Sequence, residues 1–321
     1  MVTPPVTTVT NANQGNIVGL PRERRALPSL RELVQQEDLN FLLTNRIPRR
    51  YLTLLMGWWS SIESPTLTRL SIAAWQLFAD DLRLDEAKTQ RFESLQECFT
   101  RELREGTRPV DLSPNVLVSP CDAVIGAHGR VRDGHSFQAK GFPYTLVDLL
   151  GDGALAARHD GALFVTLRLK SNMYHRFHAP ADARLDRVRY LSGDTWNVNP
   201  IALRRVERLF CKNQRAVVEL SLLEPGEVLT LVCVASILVA SVEIHAARSV
   251  LGLRYDGPAV IECDGTVAKG DELGLFRSGS TIVLFASGPF EFVSGTHEGK
   301  TIRVGEALLS RTDSAWKGRR G

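Results

Sequence analysis

The sequence has few of the features that mark disulfide-bonded or nucleic-acid-binding proteins. Its five cysteines are odd in number and none is spaced as CxxC, which argues against a disulfide framework or a zinc-thiolate site and suits a reducing compartment. The net charge of +3 is small for 321 residues, and no long Lys/Arg run is present. We therefore expect no nucleic-acid partner, because such a partner selects for a basic patch or stripe.

Long apolar segments are also missing. The longest uncharged apolar run, Val228 to Val242, is shorter than the ~20 residues that a membrane-spanning helix needs. Its many β-branched residues predict buried strands instead. Residues 1–20 are polar and rich in Thr and Asn, so we expect no secretory signal and predict a flexible tail over residues 1–28.

The spacing of apolar residues changes near Pro109. Before it, apolar residues recur at helical spacing after Pro65, and the stretch SLQE that begins at Ser94 fits a helix capping box. After it, short apolar runs alternate with Gly, Pro and Asp turns, which is typical of a β-dominated domain. We predict an α+β fold with a helical region over 29–110 and a β-rich, barrel-sandwich-like domain over 111–321.

Within the helical region, one stretch combines cations with tryptophans. Arg49 and Arg50 precede Trp58 and Trp59 without an intervening acidic residue. Such a helix can lie in a lipid interface, with arginine at headgroup phosphates and indole at the polar boundary. The alternative is a core helix whose tryptophans face the β-rich domain.

Three separated places carry residues suited to chemistry. Asp122 follows Ser-Pro at a turn, His175 and His178 lie three apart, and Ser280 follows Gly279 inside an otherwise strand-like run. Asp, His and Ser can form a charge relay in which an acid orients an imidazole that deprotonates a hydroxyl. A Gly-Ser bond beside such a hydroxyl permits self-cleavage, whereas the simpler explanation of Gly279 is a bulge or bend.

Five ordered blocks between Phe99 and Leu308 resemble phosphatidylserine decarboxylase, and the chain length suits the bacterial membrane-associated form. The blocks are SPCDAVIG (119–126), QAKGFPYTLVDLLGD (138–152), YHRFHAP (174–180), NPIALRRVERLFCKNQRAV (199–217) and KGDELGLFRSGSTIVLFA (269–286). The YHRFH and GST blocks are the specific ones. The order of all five makes coincidence an inadequate explanation.

The resemblance implies a pyruvoyl enzyme that makes its own prosthetic group. In that interpretation His178, held by Asp122, activates Ser280 to attack the Gly279 carbonyl. The chain is then cut into a β chain (1–279) and an α chain (280–321) that begins with a pyruvoyl group derived from Ser280. That group forms a Schiff base with phosphatidylserine and accepts the electrons left by decarboxylation, so that phosphatidylethanolamine and carbon dioxide are released.

The same resemblance implies roles for other residues. His175 is the candidate proton donor or carboxylate-positioning group, with a structural histidine as the alternative, and Tyr174 is a candidate headgroup contact. No metal and no pyridoxal phosphate is expected. The expected partners are phosphatidylserine, a lipid surface contacted through Arg49, Arg50, Trp58 and Trp59, and the second chain of an α/β heterodimer or a dimer of such heterodimers. The expected location is peripheral, on the cytoplasmic side of the cell membrane.

The sequence departs from the family pattern at three positions. Ala123 replaces a frequent glycine, Met173 replaces a frequent acidic residue before the YHRFH tyrosine, and Ser278 replaces a frequent Leu or Phe. Two alternatives from other classes also remain: a non-enzymatic module like the biotinyl or lipoyl carriers, and a metal-dependent hydrolase. The hydrolase would use His175 and His178 with His245 or His297.

Overall fold

The computed structural model describes residues 38, 41–42, 48–79, 81–137, 143–238, 241–277 and 279–312. The tail predicted over residues 1–28 lies outside them, and so does Ser278.

The described part of the helical region contains two long helices and two short ones. Ser64 caps α2 by accepting a hydrogen bond from the Leu67 amide, and Pro65 occupies the first turn as predicted. Ser94 Oγ accepts from the Glu97 amide at 3.1 Å, and the Glu97 carboxylate accepts from the Glu93 amide, which is close to the predicted capping box. The elements are α1 (Arg49–Ser60), α2 (Pro65–Phe78), a 3₁₀ turn (Leu84–Glu86) and α3 (Leu95–Phe99).

The remainder contains seventeen strands and four short helices among the described residues. The strands are β1 (Val116–Val118), β2 (Ala123–Arg130), β3 (His135–Phe137), β4 (Pro143–Thr145), β5 (Leu163–Leu169), β6 (Arg176–His178), β7 (Ala183–Leu191), β8 (Arg215–Leu222), β9 (Val228–Ala235), β10 (Ser241–Ile244), β11 (Ser249–Gly252), β12 (Val260–Val267), β13 (Glu272–Phe276), β14 (Ser280–Ser287), β15 (Phe290–Phe292), β16 (Thr301–Ile302) and β17 (Ala307–Arg311). The helices are α4 (Leu146–Leu150), α5 (Gly153–Arg158), α6 (Pro200–Arg205) and α7 (Leu209–Lys212).

An antiparallel eight-stranded sheet, ordered β12-β7-β8-β9-β14-β5-β2-β16, forms the central layer. One face packs on the four-stranded sheet β11-β10-β13-β6 and the three-stranded sheet β1-β17-β15 through a continuous apolar core. The other face packs on α4 to α7 through a second core. The sandwich is therefore as predicted, but the helical layer on its outer face was not predicted, because each of these helices is too short to show a periodic pattern.

The run that contains the Gly-Ser pair forms two strands that belong to different sheets. β13 lies in the four-stranded sheet and is squeezed between β10 and β6, where a Cβ on Gly274 would come within 2.1 Å of the Glu243 carbonyl oxygen. β14 lies in the eight-stranded sheet, paired with β9 and β5. The interruption is thus a crossover between layers rather than a bulge within one strand, and Ser280 is the first residue of β14 after the crossover.

Candidate active site

Ser280 opens the central strand and is fully buried. Its Cα partners are Leu169 of β5 and Ala235 of β9. Its hydroxyl has no hydrogen-bond partner within the described part of the chain. A buried hydroxyl without a partner is unfavourable for stability by about 1–3 kcal/mol, so this position calls for an explanation other than folding.

Gly279 is half-buried. A Cβ placed on it would meet no atom within 4 Å, so packing against neighbouring residues does not require a glycine at this position.

A cavity of about 770 Å³ borders Gly279 and Ser280. Its walls come from the ends of β5 and β9 and from the helical region, with α1, α2 and α3 contributing apolar side chains that include Trp59, Trp75 and Phe99. The cavity is of the size and apolar character expected for a small-molecule site. It therefore places the Gly279–Ser280 bond within reach of a ligand that enters between the helices and the sheet.

His178 has a defined tautomer in this arrangement. Its Nδ1 lies 2.9 Å from the Gly270 carbonyl oxygen, so Nδ1 carries the proton and donates it there. The Tyr174 hydroxyl donates to Nε2 at 3.2 Å. Burial lowers the pKa of His178, while the Gly270 hydrogen bond and the charges of Glu272 and Asp122 act in the opposite direction. The ring thus presents an unprotonated Nε2, as a general base requires.

Asp122 is held by an arginine that sequence reasoning missed. Arg108 donates to the Asp122 carboxylate at 2.6 to 3.1 Å and to Glu86 at 2.7 Å, and the Val304 amide donates to Asp122 at 2.9 Å. Burial alone would lower the pKa of Arg108, but the hydrogen bond and charge of Asp122 outweigh it, and the pKa is raised. Nothing in the stretch around Arg108 would have revealed this role.

The three residues of the predicted relay are not joined by hydrogen bonds in this structure. Asp122 acts on His178 through its charge, not through a hydrogen bond. His178 Nε2 is occupied by Tyr174, and the Ser280 hydroxyl is unbonded. A relay among them would therefore require His178 to exchange Gly270 for Asp122 at Nδ1 and Tyr174 for Ser280 at Nε2.

The sequence matches the family model described as phosphatidylserine decarboxylase over residues 95–310. The phosphatidylserine decarboxylase proenzyme of Shewanella putrefaciens is 33% identical over 286 residues, which cover 85% of this chain and 98% of that protein. The proenzyme of the same name from Yersinia pestis is 33% identical over 284 residues, which cover 85% of this chain and 96% of that protein.

The chain belongs to the phosphatidylserine decarboxylase family. The predicted family is thereby confirmed, together with the enzyme class that it implies, a carboxy-lyase made as a proenzyme.

The Gly279–Ser280 pair fits the pyruvoyl group that phosphatidylserine decarboxylases of the pyruvoyl-dependent type are expected to make. The Ser280 hydroxyl is buried without a hydrogen-bond partner in the described part of the chain, and both residues of the pair border the cavity.

His175 lies behind the cavity wall. Its ring is fully buried and packs on Phe99, a cavity residue, with 3.9 Å between ring centroids. Burial, aided by the positive charge of Arg101, lowers its pKa to about 3 against a weak opposing effect of the Met173 backbone. His175 is therefore a neutral imidazole near pH 7, and Phe99 separates it from the cavity.

Two of the departures from the family pattern have a clear local setting. Ala123 is fully buried at the start of β2, so it lies in a strand rather than in a turn. Met173 offers no carboxylate, but Glu272, the cross-strand partner of His178, raises the pKa of that histidine by its charge. Glu272 is itself bound by Arg176 at 3.0 Å and by His245 at 2.7 Å.

The side chains of α1 and α2 divide between the cavity and the surface. Trp58 is 62% exposed, and Tyr51 and Leu55 share its face of α1. Trp59, in contrast, borders the cavity. Arg49 is bound to Asp194 of the β-rich domain and stacks on Trp196 at 3.8 Å, whereas Arg50 is exposed.

The metal-hydrolase alternative has no support in the described ranges. No three His, Cys, Asp or Glu side chains there converge as ligands.

None of the helices described is long and apolar enough to cross a bilayer.

Proposed function

We propose that this chain converts phosphatidylserine into phosphatidylethanolamine and carbon dioxide through a pyruvoyl group that it makes from Ser280 by cutting its own Gly279–Ser280 bond. The observation that carries the proposal is the buried Ser280 hydroxyl, which has no hydrogen-bond partner in the described part of the chain and directly follows Gly279 in the lining of a cavity. Family membership supplies the reaction class.

The cut would begin with attack of Ser280 Oγ on the Gly279 carbonyl carbon, which moves the acyl group from nitrogen to oxygen. Loss of the Ser280 α-proton then breaks the new ester, releases the Gly279 carboxylate and leaves a dehydroalanine. Water replaces its nitrogen as ammonia and gives the ketone. His178 is our candidate base, because its Nε2 carries no proton, and Asp122 supports the charge that develops on the ring.

When formed, the pyruvoyl carbonyl would supply an electron sink for decarboxylation. The residues of the chain would hold and surround the substrate. Trp59, Trp75 and Phe99 contribute apolar surface to the cavity that would hold it. His175 is our candidate proton donor or carboxylate-positioning group, and either role would require Phe99 to move. Tyr174 would orient His178.

The two products of the cut would remain one folded unit. The α chain supplies β14, which is paired along its length with β5 and β9, and β17, which is paired with β1 and β15. We therefore propose an obligate α/β heterodimer.

The substrate would be reached at a lipid surface. Tyr51, Leu55 and Trp58 form an exposed stripe on α1, at the i, i+4 and i+7 spacing of one helix face, and Leu70 and Leu77 expose a second stripe on α2. Neither helix contains an acidic residue. Because the same helices line the cavity, we propose peripheral contact with the cytoplasmic side of the cell membrane through this face, with Arg50 at the headgroups.

The processing reaction gives the decisive test. The purified chain should run as two fragments on a denaturing gel, with masses that place the cut between Gly279 and Ser280 and with the smaller fragment blocked to Edman degradation. Ser280→Ala should remain full length and release no carbon dioxide from phosphatidylserine. A wild-type chain that stays intact yet decarboxylates the lipid would overturn the pyruvoyl mechanism.

A further inference from the structure

Arg168 is a half-buried cation without an anionic partner. It lies in β5, whose other residues are almost all apolar and buried. Its guanidinium makes no hydrogen bond or ion pair with any residue in the described ranges, and burial lowers its pKa. Buried cations in folded proteins are normally paired, so this one is available to bind an anion.

Its position connects it to the reacting bond. Arg168 is the Cα partner of Thr281, and the next residue, Leu169, is the partner of Ser280. Arg168 and Ser280 border the same cavity.

The cavity is suited to an anionic ligand. Its described lining contains the cations Arg168, Lys170 and Arg277 and no carboxylate. Arg277 is already paired with Glu243 at 2.9 Å. Arg168 therefore carries positive charge that the lining itself does not neutralise.

We propose that Arg168 binds the phosphodiester of phosphatidylserine and thereby holds the headgroup with its amine at residue 280. The inference rests on the proposed function and adds a substrate-binding residue to it. Only four covalent bonds separate the serine nitrogen from phosphorus, and Arg168 and residue 280 border the same cavity, so one headgroup can contact both. Guanidinium binds phosphate oxygens through two parallel hydrogen bonds.

The substrate offers two anions, and the chemistry favours the phosphate. The carboxylate loses its charge as carbon dioxide leaves, so an arginine on it would stabilise the ground state more than the transition state and slow the reaction. The phosphate keeps its charge throughout, and an arginine on it lowers KM without opposing kcat.

Arg168→Gln tests the assignment, with Arg168→Lys as the conservative variant and Arg132→Gln as a control on an exposed turn. Self-cleavage is measured first, to show that each variant folds and matures. Steady-state rates are then measured with phosphatidylserine in mixed micelles. Binding of dihexanoyl phosphatidylethanolamine, which has the phosphate but no carboxylate, is measured by tryptophan fluorescence in the uncleaved Ser280→Ala chain, because Trp59 and Trp75 border the cavity.

We expect Arg168→Gln to raise KM, and to weaken phosphatidylethanolamine binding, by about tenfold or more, with kcat within about twofold. Arg168→Lys should raise KM and weaken phosphatidylethanolamine binding by less than Arg168→Gln does. Arg132→Gln should have the KM and the phosphatidylethanolamine affinity of the wild type. A higher KM with unchanged phosphatidylethanolamine binding would assign Arg168 to the carboxylate and overturn the proposal, as would unchanged values of both. Failure of the proposed function is a separate outcome, because it would appear in the wild type as missing cleavage or missing carbon dioxide.

Discussion

The buried ion pair between Arg108 and Asp122 should be among the most sensitive points of the molecule. The side chains are 8% and 7% exposed, and Arg108 also binds Glu86. Arg108→Met would leave the Asp122 charge in a poorly hydrated place, with the Val304 amide as its only remaining donor among the described residues. Removing one partner of a buried pair lowers the free energy of unfolding by about 3–5 kcal/mol.

The assay is urea unfolding of the uncleaved Ser280→Ala chain, so that every variant is a single covalent species. Arg187→Met is the matched control, since Arg187 donates to Glu262 at the same 2.9 Å as Arg108 Nε donates to Asp122, but with side chains 35% and 68% exposed. Such an exposed pair contributes about 0–1 kcal/mol.

A double-mutant cycle separates the pair from its surroundings. Asp122→Asn keeps an acceptor for Val304, and combined with Arg108→Met it removes the stranded charge. The double variant should therefore be more stable than the sum of the two single losses predicts. A loss below about 1 kcal/mol for Arg108→Met, or strict additivity in the cycle, would refute the reasoning.

Two further predictions concern the lipid surface and acid stability. Replacing Tyr51, Leu55 and Trp58 together by serine should lower sedimentation with anionic liposomes at least tenfold while self-cleavage persists. Leu223→Ser, which changes an exposed leucine outside the helical region, should leave sedimentation unchanged. Equal losses of liposome binding in both variants would exclude the exposed face of α1 as the membrane contact. His159 is buried, bonded to Ser287 and Thr230 at 2.7 Å, and burial, followed by the charge of Arg158, lowers its pKa to about 4. In the unfolded chain His159 takes up a proton near pH 6.5, whereas in the folded protein it does so only near pH 4. The free energy of unfolding should therefore fall by up to ~3 kcal/mol as the pH is lowered from 6.5 to about 4. The same pH dependence of stability in His159→Gln would contradict this assignment.

Sequence reasoning went furthest where one local pattern determined one feature. The helix start at Pro65, the cap at Ser94 and the buried run that became β9 and β10 were readable because they depend on neighbouring residues. Membership of the family followed from motifs for the same reason, and the Gly279–Ser280 bond that the motifs indicate as the reactive one stays a prediction. Whether Asp122 and His178 act on Ser280 stays a prediction.

Long-range partners could not be read in this way. Arg108 meets Asp122 only through folding of the helical region onto the sheets, and no pattern near either residue records it. Arg49 was predicted to face lipid, yet its guanidinium binds Asp194. Arg168 did leave a signal, since a lone arginine inside the apolar run ALFVTLRL is unusual for a buried strand.

The crossover between β13 and β14 has a consequence for how a cut chain behaves. Breaking a bond in this link removes no strand pairing, because β13 ends before it and β14 begins after it. The fragment from residue 280 onward contributes β14 and β16 to the eight-stranded sheet and β17 to the three-stranded sheet, so it is anchored in two separate sheets. Withdrawing it would require both sheets to open at once. Mature molecules should therefore not exchange fragments with one another under native conditions, and the cut should become visible only when the protein is denatured.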